Sequence, residues 1–157
     1  MIFQRINRTD PEKIFMVVYN SYSTASLTNG QAVMWDYATD ANGVSVTKPT
    51  SLNSQAGAPV MAGVAAETIA AGAYGLIQVW GYHAAVQCRT ATTTGTTPEV
   101  VLIVAAGTPL YPPFAANFHF ESFTAAAAGL LKHPCGFALA TNASYTAKAI
   151  AAFLKCL

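Results

Sequence analysis

Charge is what this sequence has least of. Charged residues make up 10% of its 157 positions, against about 25% in an ordinary soluble domain. The eight lysines and arginines and seven acids leave a net charge of +1, so no field of one sign draws the chain to nucleic acid or to anionic lipid. Five of these fifteen charges fall within the first thirteen residues (Arg5, Arg8, Asp10, Glu12, Lys13), and between Pro49 and Pro98 only Glu67 and Arg89 are charged. A domain of this length buries roughly two thirds of its unfolded surface. So much uncharged surface cannot all be hidden inside one small monomer, which predicts that some is covered by further copies of the chain or by a partner.

Cysteine is scarce too. Cys88, Cys135 and Cys156 are odd in number and widely spaced, which predicts buried thiols rather than a disulfide framework. Long uninterrupted apolar runs are missing: Ala56 to Val86, the most apolar region, is broken by Pro59, Glu67 and five glycines, too often for a membrane-spanning helix. MIFQRINRTDPEK lacks the basic, apolar, small-residue order of a secretory signal. The expectation is a soluble protein assembled in the cytoplasm.

Catalytic signatures are absent as well. There is no phosphate-binding glycine loop, G-x-S-x-G or H-E-x-x-H. His133 and Cys135, with His83, Cys88 and Cys156 as distant partners, lack the tight pairs that present zinc ligands, and no third group completes a Cys–His nucleophile. Asp36, Asp40 and Glu67 are the acids available for a carboxylate pair, though nothing in their spacing calls for one. Trp35, Tyr37, Trp80 and Tyr82 could form a sugar-stacking platform, but core packing accounts for them better. No catalytic, cofactor-binding or metal-binding residue is assigned.

What is present is strand and turn. IFMVVYN (Ile14 to Asn20) is β-branched and aromatic with both faces apolar, the pattern of an inner strand. Asn29-Gly30 and Asn42-Gly43 bracket QAVMWDYATDA, and Asn-Gly suits tight type I′ hairpin turns. VSVTK alternates apolar and polar. Together these predict a three-strand meander. Glycines at 63, 72, 75 and 81 each disfavour helix by about 1 kcal/mol relative to alanine, so GVAAE reads as a short strand, TIAAGAYG as a turn and LIQVWGYHAAVQC as a long strand. TATTTGTTPE (90–99) reads as a solvated hairpin tip and VVLIVAA (100–106) as a strand. Thr124 to Pro134 allows a helical turn stopped by proline. GVAAET at 63–68 is echoed by GFALAT at 136–141, a match that alanine-rich sequence also produces by chance. The closing YTAKAIAAFLKCL fits either an amphipathic helix, which propensity favours, or a strand with Ile150, Ala152, Leu154 and Cys156 on one face.

Two segments are candidates for contact with other molecules. Residues 1–13, with Phe3, Arg5, Ile6 and Arg8 interleaving basic and apolar side chains, suit either an arm that orders on a neighbouring subunit or a frayed terminus. TPLYPPFAANFHFESF (108–123) is a proline-broken loop rich in aromatics. Tyr111, Phe114, Phe118 and Phe120 there either line an interface or fold back into the chain's own core.

The order of features, from SLTNGQAVMWDYATDANGVSVTKPT through TIAAGAYGLIQVWGY and AAGTPL to HPCGFALATNASYTAKAIAAFLKCL, resembles the small β-rich capsid decoration (cement) proteins of tailed bacteriophages. The resemblance covers roughly residues 14 to 157 and rests on soft glycine, alanine and alternating-apolar patterns. It implies a mainly β fold, a compact antiparallel β-barrel or sandwich (14–157) with an extended N-terminal arm (1–13), little helix, and a strand at the C-terminus. It also implies a non-enzymatic, cofactor-free homo-oligomer, typically a trimer, on the outer surface of the virion head. There it would clamp the major capsid protein, with Phe3, Arg5, Ile6 and Arg8 on the capsid and Tyr111, Phe114, Phe118 and Phe120 between subunits. Nucleic acid and membrane are not among the expected partners. Another virion role (tail, baseplate or head fibre) and a carbohydrate-binding module are the competing expectations.

Overall fold

The computed structural model describes residues 12–49, 61–90, 106–107, 109–111, 118, 120–122, 134–142 and 147–156. Every regular element among them is a strand: β1 (Lys13–Asn20), β2 (Ala32–Trp35), β3 (Ser45–Thr47), β4 (Met61–Ala65), β5 (Tyr74–Thr90), β6 (Pro109–Leu110), β7 (Phe120–Ser122), β8 (Gly136–Ala138) and β9 (Lys148–Lys155). No helix among the described residues is long and apolar enough to cross a membrane. The mainly β expectation holds.

The strands form one sheet in the order β1-β3-β2-β4-β5-β9-β8-β6, with β7 beside β5. β1 also pairs with β5, from Lys13 opposite Gly81 to Tyr19 opposite Tyr74, so the pairing β1–β3–β2–β4–β5 returns to its starting strand. β5 makes this possible by its length. At 17 residues it would run about 55 Å if straight. Its first half completes the five-strand circuit, and its second half carries the wing of β9, β8 and β6. Bulges mark the change of neighbours, at Ile14/Phe15 against β1 and between His83 and Val86 against β9, as expected where a strand must bend.

Two expectations are corrected. The sheet is mixed rather than antiparallel, because β1–β3 and β5–β7 are parallel pairs. The first three strands are not a meander either: β3 inserts between β1 and β2, and β2 and β3 are joined by residues 36–44 instead of a two-residue turn. The physical reason lies in the turns. Type I′ needs positive φ at both central residues, whereas Gly30 and Gly43 have φ of 88° and 70° and no described non-glycine residue has positive φ. The Asp40 carboxylate instead shapes the longer loop, accepting the backbone N–H groups of Asn42 (2.9 Å), Val44 (3.1 Å) and Ser45 (2.7 Å).

Burial follows the topology. One core cluster takes side chains from all five circuit strands: Val18, Val33, Val46, Ala62, Ala65, Ile77 and Val79, joined by Leu27 and Ile69. The other lies between the circuit and the wing and includes Ala32, Met34, Met61, Val64, Val86, Cys88, Phe120, Ala138, Ile150, Ala152 and Leu154. β2 and β4 feed alternate residues to the two clusters, which is why AVMW and MAGVA show no polar alternation. β9 settles the C-terminal ambiguity as a strand, with Ile150, Ala152 and Leu154 inward at period two. The GVAAET and GFALAT echo has a counterpart in the fold. Gly63 leads into Val64 of β4 and Gly136 opens β8, and each lies against the carbonyl of a long antiparallel strand. A Cβ on Gly63 would approach the Gln78 oxygen to 2.5 Å, and one on Gly136 would approach the Phe153 oxygen to 2.2 Å.

Candidate interaction surface

Asp36, Asp40, Glu67 and Cys88 have structural roles. Asp36 accepts the Ser21 hydroxyl (2.7 Å) and that of Thr39. The hydrogen bond from the Asn42 backbone, with those from Ser45 and Val44, holds the Asp40 carboxyl below its ordinary range. Glu67 accepts the Leu76 backbone N–H at 2.8 Å. Burial pushes the Cys88 thiol up to about 12. His83 is buried on β5; burial, and then the charge of Lys13, lower its pKa, and its Nδ1 accepts the Ala85 N–H at 3.1 Å. Among the described residues no three His, Cys, Asp or Glu side chains could hold a metal ion; His133 lies outside them.

The unexplained feature is apolar and external. Ile14, Phe15, Met16 and Val17 are four consecutive large apolar residues of β1, and all are exposed, Val17 at 65%. Residues opposite one another across a ladder share a face, so Val17 with Leu76 and Tyr19 with Tyr74 form an outward strip. Tyr74 is 67% exposed, and its ring lies 5.2 Å from that of Tyr19. The edge of β1 is open here as well: among the described residues β3 pairs only with Tyr19 and Asn20, leaving Lys13 to Val18 bonded along one side. A strand that is apolar on both faces and open along one edge is a template for pairing with another chain. The sequence expectation of an inner strand therefore holds for Val18 to Asn20 and fails for Ile14 to Val17. The transition follows directly on the charge-rich start of the chain.

A second aromatic group, exposed at Phe137 and half-buried at Phe153, Trp80 and Tyr82, adjoins the start of β1. Phe137 stacks on Phe153 (5.2 Å, 11° between planes), Trp80 meets Phe153 edge-on at 5.4 Å, and the Lys13 ammonium sits 5.9 Å from the Tyr82 ring centre. Register builds this row, since Phe137, Phe153 and Tyr82 are successive cross-strand partners on β8, β9 and β5.

The residues expected at interfaces are dispersed. Phe3, Arg5, Ile6, Arg8 and Phe114 lie outside the described residues, as do all of the expected tip at 90–99 except Thr90, which ends β5, and all of the expected strand at 100–106 except Ala106, which lies in a turn. Tyr111 is half-buried just after β6. Phe118 packs against the circuit's cluster, edge-on to Tyr22 at 5.4 Å and under the Lys48 ammonium at 5.3 Å. Phe120 is fully buried in the chain's own core. Phe120 therefore takes the fold-back alternative and presents no surface to another subunit, while Phe118 packs partly on the chain's own cluster and stays half-buried. Trp35 and Trp80 are half-buried against the same cluster as Phe118, which leaves neither as an open platform.

No known family model matches the chain, and no curated protein sequence matches it.

Proposed function

We propose that the chain is a structural protein of a bacteriophage virion, a capsid decoration or cement protein that binds the outer head surface and stabilises contacts between major capsid protein subunits. The observation that supports this best is the exposed, edge-open apolar segment Ile14 to Val17 with Tyr74 and Leu76, in a chain too poor in charge to leave such a surface bare. The mechanism is avidity. Each copy adds a modest contact across a seam between capsid subunits, and assembly into a homo-oligomer, a trimer in this reading, makes release depend on several contacts opening together. The partners are proteins, with no catalysis, cofactor, nucleic acid or membrane required. The same surface would serve a tail, baseplate or head-fibre role. The half-buried Trp35 and Trp80 speak against a carbohydrate-binding module.

The test is to separate heads from tails in virions whose genome encodes the chain, and to quantify the chain in each by mass spectrometry. The expected result is a copy number on heads comparable with that of the capsid subunit, and release of packaged DNA at lower temperature once the chain is stripped. Recovery on tails alone selects the alternative virion role. Absence from both overturns the reading.

A further inference from the structure

Two of the three cysteines meet although 20 residues, 136–155, separate them in sequence. Cys135 immediately precedes β8 and Cys156 immediately follows β9, and the antiparallel register of Gly136 with Leu154 brings both to one end of that ladder. Their backbones are fixed on all sides. The Cys135 N–H donates to the Leu110 carbonyl (2.8 Å), and its carbonyl accepts the Lys155 N–H (2.8 Å). The Cys156 N–H donates to the Val79 carbonyl (2.9 Å). The Cys156 thiol donates to the Cys135 carbonyl at 3.5 Å, and Cys156 packs against the buried cluster that contains Cys135. Cys135 is buried and Cys156 half-buried, so one member of the pair can be reached from solvent. Cys88, in the same cluster as Cys135, donates instead to the Val86 carbonyl of its own strand.

We propose that Cys135 and Cys156 form a redox clasp: oxidation joins them in a disulfide that ties the end of the last strand to the start of β8, and reduction releases it. With a small-molecule disulfide as oxidant, the Cys156 thiolate attacks one sulfur and displaces a thiolate, which takes up the proton that Cys156 gave up. Cys135 then attacks the Cys156 sulfur of the mixed disulfide and displaces the second small thiol, protonated in the same way. The cysteine pair loses two electrons and two protons, and one oxidant molecule becomes two thiols. A hydrogen bond from its own S–H to Cys156, with burial, holds the Cys135 thiol above the ordinary thiol range, so the second step accelerates as pH rises. The inference does not depend on the virion reading.

The experiment treats the native full-length protein with excess glutathione disulfide at mildly alkaline pH, alkylates the remaining thiols and maps the peptides. The expected product carries an intramolecular Cys135–Cys156 link and a single alkyl group, on Cys88 once unfolded. Its thermal midpoint rises by about 5–15 °C and returns on treatment with dithiothreitol. C88S should form the same link and C156S none, with circular dichroism confirming that both remain folded. A persistent mixed disulfide, a link that includes Cys88, a link between chains, or a link that leaves the midpoint unmoved would each overturn the clasp.

Discussion

The two halves of β1 are made of the same kinds of residue and end in opposite environments. Val18 and Asn20 are sealed within the circuit, while Val17, one position away from Val18, is among the most exposed apolar residues described. Composition does not separate them; neighbours do. At Tyr19 and Asn20 the strand has β3 on one side and β5 on the other, and nearer the N-terminus it has β5 alone among the described residues. A β-strand is buried to the extent that both its edges and both its faces find partners. Among the described residues, the N-terminal half of β1 is the part of the sheet left without a neighbour along one edge.

The sharpest way to break this comparison is to place one charge on each half. Val18→Asp puts an unpaired carboxylate into the circuit's core, which costs at least about 3–5 kcal/mol and should leave no cooperative unfolding transition in urea. Val17→Asp, one residue away, should fold with a midpoint close to that of the parent and shift the sedimentation coefficient toward the monomer. A V17D protein that stays assembled would separate the exposed strip from self-association.

Asn20 sharpens the buried half. Its Nδ2 donates to the Ile69 carbonyl (3.0 Å) and its Oδ1 accepts the Tyr22 N–H (3.0 Å), tying β1 to the bridge between Leu27 and Ile69. Asn20→Ala removes the acceptor of the Tyr22 N–H and one of two donors to the Ile69 carbonyl, which keeps the Leu27 N–H, and chemical denaturation should show a loss of about 1–3 kcal/mol.

A smaller effect comes from pH. Burial lowers the pKa of His83 below its ordinary 6.5, so between its folded and unfolded values the unfolded chain binds more protons and stability rises with pH. The His83 contribution is therefore intact above about pH 6.5 and is lost as pH falls toward the folded value. His83→Gln should flatten that part of a stability-versus-pH curve; an unchanged slope would assign it to other groups. The smallest change expected is for Tyr74→Ser, which removes an exposed ring and should move monomer stability by no more than about 0.5 kcal/mol while weakening any assembly built on the strip.

The legibility of the sequence followed the range of the interactions. GVAAE, the turn after it and LIQVWGYHAAVQC were readable because glycine, β-branched and aromatic residues act locally, and they became β4 and β5 nearly as drawn. Propensity pointed the C-terminal segment to helix, since alanine favours it, and only pairing with β5 and β8 makes Lys148–Lys155 extended. The Asn-Gly pairs announced turns correctly but not their type, because Asp40 supplies a third, side-chain set of backbone contacts. The aromatic loop looked like an interface since its composition is that of a buried surface, and composition does not say whose core is filled; Phe120 fills this chain's own. The exposed strip was missed for the converse reason: an apolar run reads the same whether its partners are present or not.

By itself, then, the sequence determined a mainly β class, several of the places where the chain turns, and a charge-poor composition, all consequences of side-chain chemistry acting over a few residues. Only the tertiary structure decided that β3 enters between β1 and β2, that β5 serves two sets of neighbours, that Cys135 meets Cys156, and that Ile14 to Val17 face outward. These depend on which distant strands pair, and pairing is selected by the mutual burial of whole faces rather than by any one segment's composition.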